Sequence, residues 1–180
     1  SNTISDLRIK TYLQGASLNP NIGEETLMRD DLRVLGYLPT TSPYIDGLTC
    51  NPSVFNAGGT SGSGVIDDDI VDWVWIELRD SNDNTAILAS KSALLQRDGD
   101  IVDVDGLSSL SFDFTSGNYY IVLNHRNHLG IMTATSIVLN ESTTIVDFTD
   151  GSINTFGSNA ESILPNGSLA LWTGDANGDG

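Results

Sequence analysis

Cysteine is almost absent from this chain. Cys50 stands alone among 180 residues, so no internal disulfide can staple the fold. A chain of this length buries one sizeable core without such help, and nothing in it forces a second domain. Basic residues are nearly as scarce: 8 Lys and Arg face 24 Asp and Glu, a net charge of −16. Eight scattered cations cannot assemble the patch that a phosphate backbone or an anionic membrane surface needs, which excludes nucleic acid as a partner. No hydrophobic run approaches the length of a membrane span, so insertion of a helix is excluded too. Signatures of an activated nucleophile are missing: there is no G-x-S-x-G elbow, no cysteine–histidine motif and no P-loop, and the glycine-rich stretch Gly58–Gly64 lacks the required lysine. Paired carboxylates for glycoside hydrolysis carry no information in a chain with 24 acids.

Short extended segments separated by turn residues are what the sequence does contain. In Asn118–Thr133, Tyr119, Ile121, Leu123 and His125 alternate with Tyr120, Val122 and Asn124, so both faces are apolar, as in a central strand covered on both sides. The polar knot His125-Arg126-Asn127-His128 follows, and Ile131–Leu139 reads as the return strand. Val71–Arg79 is a second strong strand, with Val74, Ile76 and Leu78 on one face and Trp73, Trp75 and Glu77 on the other. Leu7–Gln14, Ile101–Val104, Leu107–Phe114, Thr143–Phe148 and Ser168–Trp172 read as further strands, while Ala86–Leu95 suits a strand or a helical turn. Over Glu24–Leu35 the spacing of Leu27, Met28, Leu32 and Leu35 predicts a short helical turn, ended by Gly36. Residues 39–64, rich in Pro, Thr, Ser, Asn and Gly, read as a long surface excursion. Cys50, after Leu48-Thr49, reads as a buried and inert thiol. The sum is an all-β fold, a β-sandwich of immunoglobulin or prealbumin type with a short helical turn near Arg29–Leu35.

The blocks V-D-W-V-W-I-E-L-R-D (71–80), S-A-L-L-Q-R-D-G-D-I-V-D-V-D-G (92–106), N-Y-Y-I-V-L-N-H-R-N-H-L-G-I-M-T-A (118–134), V-D-F-T-D (146–150) and A-L-W-T-G-D-A-N-G-D-G (170–180) resemble a module of large secreted, multi-modular surface proteins of Bacteroidetes-type bacteria. L-R-V-L-G-Y-L-P-T-T-S-P-Y (32–44) is similar to its usual opening, and H-R-N-H-L-G is the most specific block. The resemblance covers nearly the whole chain and implies an extracellular or cell-surface module, with Trp75 a departure from the more usual aliphatic.

Three groups of residues are candidates for chemistry. Asp175-Ala-Asn177-Gly-Asp179-Gly180 matches the first half of a calcium loop, where oxygens at alternate positions converge on one ion. The module proper is then 1–174, and 175–180 opens a dockerin-like loop or linker. Asp67, Asp69 and Asp103 are further calcium candidates, beside the alternative that Asp-Gly pairs merely make turns. Calcium of low affinity, about 0.1–1 mM, would add about 1–2 kcal/mol at a few millimolar. His125 and His128 have H-x-x-H spacing but no third ligand nearby; with Arg126 they read as structural, the arginine pairing an acidic loop and the imidazoles bonding backbone carbonyls. Trp73 and Trp75 share a strand face and could stack a sugar ring or fill a core. The expected function is a non-catalytic extracellular module for adhesion or glycan attachment, braced by calcium. The alternatives are a spacer or fibre subunit that self-associates or engages a neighbouring protein module by strand addition, and an accessory domain of a secreted polysaccharide hydrolase.

Overall fold

The computed structural model describes residues 3–174. Its longest strand, β2 (Ile70–Asp80, numbering the strands β1–β11 in chain order), pairs antiparallel with β3 (Ile87–Gln96) on one side and β6 (Gly117–His125) on the other. Around these run β1 (Thr3–Lys10), β4 (Asp100–Val102), β5 (Leu110–Thr115), β7 (His128–Met132), β8 (Ile137–Leu139) and β9 (Thr144–Asp147). They join in the order β5-β1-β4-β3-β2-β6-β7, with β8 also on β6 and β9 parallel to β1. A hairpin of β10 (Ser162–Ile163) and β11 (Leu169–Ala170) stands apart from that sheet.

The order hides a fold-over. β5 and β6 lie five strand steps apart, about 24 Å in a flat sheet, yet only Ser116 connects them. The sheet therefore curls through the short strand β4, which pairs both β1 and β3, and closes on itself as an all-β sandwich. One layer supplies Ile4, Leu7, Ile9, Leu110, Phe112 and Val146, the other Val74, Ile76, Leu78, Ile121 and Leu123, and all belong to a single apolar cluster. Each such side chain contributes about 1.5–3 kcal/mol when fully withdrawn from water.

Local differences from the pattern have identifiable causes. Over 24–35 only one helical turn forms, α2 (Asp31–Val34), after an earlier turn α1 (Gln14–Ser17). Met28 is drawn into the core, where its sulfur accepts the Leu13 N–H at 3.3 Å, and buried Arg97 donates to its carbonyl at 2.7 Å; both contacts hold the segment out of a helix. The expected return strand 131–139 is broken into β7 and β8, because at the break Thr133 Oγ1 accepts the Ile121 N–H at 3.2 Å. The ambiguous segment 86–95 is strand β3, paired along its length with β2.

The excursion over 39–64 is only partly a surface loop. Leu38, Cys50 and Val54 fold down on the outer face of the second layer and bury Ile70, Trp73, Leu94 and Val102, a second core. Burial pushes the Cys50 thiol above its ordinary pKa, in keeping with an inert side chain.

Candidate functional site

On β2 the side chains of Trp73, Trp75, Glu77 and Arg79 point outward at the strand period of two. The excursion covers the first of them. Trp73 is 0 % exposed and its indole N–H donates to the Pro39 carbonyl at 2.9 Å, so it is a core residue and the expectation that it contacts a ligand is corrected. Trp75 lies where that cover ends and remains partly exposed. Its neighbours across the sheet are Ser92 of β3 and Asn124 of β6. Tyr44 leans over it with ring centroids 5.6 Å apart at 31°. The indole N–H donates to Glu77 Oε1 at 3.1 Å, while Glu77 Oε2 accepts from Arg79 Nε and Nη2 at 2.9 and 2.7 Å. Arg79 in turn donates to the Asn84 carbonyl at 3.1 Å. The indole is thus locked at its edge, with the half-buried Asn124 on one side, while Ser92 on the other is fully buried and held by the loop, its N–H and hydroxyl donating to Asp46 at 2.7 and 2.6 Å.

The histidine knot is a buried relay. His125 Nε2 lies 2.9 Å from Asp72 Oδ2, and the two Nδ1 atoms of His125 and His128 are 3.0 Å apart. His128 Nε2 accepts the Gly15 N–H at 3.0 Å, so its proton sits on Nδ1 and is donated to His125, whose own proton faces Asp72. Arg126 Nη2 closes the system with bonds of 3.0 and 2.9 Å to Asp72, which is 2 % exposed. Burial, then the neighbouring His125, hold the His128 imidazole down to about 4 from 6.5. The structural role expected for His125, Arg126 and His128 fits these contacts, but the partners differ from the expected ones: Asp72 is on a strand, and the imidazoles bond a carboxylate, each other and backbone N–H groups. A cavity of about 230 Å³ beside the knot is lined by Asp72, Arg29, Asp31, Asn127 and both histidines. Its two carboxylates are paired, Asp72 as above and Asp31 with Arg29 at 3.3 Å, and the relay ends on the Gly15 backbone rather than on a nucleophile.

The acidic groups do not converge. Asp69 is buried, with Oδ1 accepting the Gly58 N–H at 2.6 Å and Oδ2 paired with Arg33 at 3.1 Å. Gly58 can approach because it carries no Cβ; one built there would stand 2.7 Å from the Gly64 nitrogen at φ +75°. Asp103 pairs with Lys91 at 2.9 Å and accepts the Val104 N–H at 2.8 Å. Asp67 is exposed, and its carbonyl accepts the Asp98 N–H at 3.2 Å. The expectation that Asp69 and Asp103 ligate calcium is therefore corrected: their oxygens fasten loops. Among the described residues no group of three or more His, Cys, Asp or Glu side chains stands where it could hold a metal. Asp175, Asn177 and Asp179 lie outside the described residues.

No family model, curated protein or solved structure matches this chain. The site is therefore defined by its own geometry. Glu77 was already legible on the Trp75 face, and Arg79 could have been found there too, two residues further along the strand. Nothing local marks Tyr44, which lies 31 positions away in a loop.

Proposed function

We propose that this protein is a non-catalytic module, working at the cell surface or outside the cell, that holds a glycan on the face around Trp75. The observation that carries this reading is the partly exposed indole, fixed by Glu77 and Tyr44, with the half-buried Asn124 beside it. The C–H face of a pyranose packs on an aromatic plane, and hydroxyls flanking the ring need small polar partners at its rim. The relay that ends on a backbone amide and the pairing of Asp72 and Asp31 in the cavity beside it favour holding over turnover. The net charge of −16 and the resemblance of the 71–80 and 118–134 blocks to secreted surface modules support the extracellular setting.

A glycan array followed by calorimetry on each hit tests it. Trp75→Ala is expected to weaken binding at least about tenfold, a loss of about 1.4 kcal/mol, without a change in fold by circular dichroism. Equal binding by wild type and variant, or no binding to any immobilised polysaccharide, would remove the reading. A second reading, a spacer that packs on a neighbouring copy, is favoured by the apolar side chains that β7 and β8 leave in water, Leu129 and Val138 at 56 % and 61 % exposure. Polymer formation in solution, measured by light scattering, would select it.

A further inference from the structure

Glu161, immediately before β10, is only 9 % exposed and receives no hydrogen bond; its Oε2 is sealed from solvent without a partner. The adjacent Ser162 Oγ is likewise buried and unpartnered. The charged group acting on Glu161 is a second carboxylate, Asp147 at the end of β9, and no lysine or arginine pairs with it. Asp147 commits one oxygen, Oδ1, to the Thr149 N–H and hydroxyl at 2.7 and 2.6 Å, which leaves Oδ2 for a ligand. Both carboxylates hang on ordered backbone. The Thr149 carbonyl accepts the Leu169 N–H of β11 at 2.9 Å, and Leu169 pairs across the hairpin with Ile163.

A carboxylate buried without a counter-charge, with a second anion acting on it, is costly unless something neutralises it. Among the described residues the other buried carboxylates, Asp30, Asp69, Asp72 and Glu77, each have an arginine or histidine. We propose that Glu161 and Asp147 bind a hard divalent cation of the calcium class, with backbone carbonyls and water completing its shell. The side chains meeting there offer oxygen alone, which suits calcium and disfavours zinc. Without the ion a proton takes its place: burial, then Asp147, push the Glu161 carboxyl up to about 7. These residues are other than Asp67, Asp69 and Asp103. The ion would clamp β10 and β11 to the end of β9, closing the region where the hairpin meets the sandwich.

The test is thermal melting of the full chain after chelation, then with CaCl2 or ZnCl2 at a few millimolar. Calcium is expected to raise the melting temperature by several degrees and zinc to leave it unchanged. Glu161→Gln should abolish the rise, Asp147→Asn should reduce it, and Asp175→Asn should leave it intact. The proposal fails if there is no rise, if zinc alone produces it, if it survives in the Glu161 variant or at full size in the Asp147 variant, or if it is lost only in the Asp175 variant. Should Glu161→Gln not fold, Asp147→Asn carries the same decision.

Discussion

Asp72 shows how much one residue organises. It receives Arg126 and His125 and caps the Trp73 N–H at 2.8 Å, all at 2 % exposure. Removing it strands a guanidinium and leaves His125 without its carboxylate, so Asp72→Ala is expected to destabilise by about 3–5 kcal/mol in urea denaturation. His128 adds a pH dependence of definite sign. Its folded pKa, about 4, lies below the ordinary 6.5, so the native state favours the neutral ring. Its contribution is complete above pH 6.5 and is lost as pH falls from 6.5 towards 4, in all roughly 2 kcal/mol. Denaturation midpoints should therefore fall less steeply over that window in His128→Gln than in wild type. The comparison must be made between the two proteins, because Asp98 and Glu161, raised to about 6 and about 7, act in the opposite direction. These roles were half legible. Two histidines beside an arginine at the end of an apolar strand announce a structural knot, but Asp72 is more than fifty positions away and carries no local mark.

At the scale of elements, β2 divides labour between its faces. Val74, Ile76 and Leu78 serve the sandwich interior, while Trp73 anchors the excursion over 39–64 and Trp75 is left at its rim. Alternation predicted which side each would take. It could not predict that the loop would bury Trp73 completely and leave Trp75 partly exposed beside Tyr44, since the two tryptophans are equivalent in pattern. Trp73→Ala should therefore cost about 3–5 kcal/mol and expose Cys50 to thiol reagents at a faster rate, whereas Trp75→Ala should leave Cys50 protected. Equal labelling of Cys50 in both variants would contradict the division. The segment 24–35 teaches the converse: its helical spacing is real, yet Arg97 and the Met28 contacts hold it open. A propensity worth tenths of a kcal/mol per residue yields to burial of a methionine.

For the whole molecule the charge of −16 sets the conditions of stability. Raising NaCl from about 10 to about 150 mM shortens the screening length from about 30 to about 8 Å. Repulsion among the surface carboxylates is then relieved while buried pairs such as Arg33–Asp69 are little affected. The melting temperature is expected to rise by a few degrees over that range. A fall would mean that exposed ion pairs outweigh the repulsion.

Composition and the period-two alternation were enough, by themselves, to establish an all-β sandwich without an internal disulfide, a strongly acidic body, and the faces of its central strands. Those properties are local or additive, and a few consecutive residues express them. Only the tertiary structure decided that Tyr44 would roof Trp75, that Asp69 and Asp103 would meet Arg33 and Lys91, and that Glu161 would be buried without a partner. Such pairings depend on how the sheet curls through β4 and where the long loop lands, and no stretch of chain short enough to read encodes contacts between positions tens of residues apart.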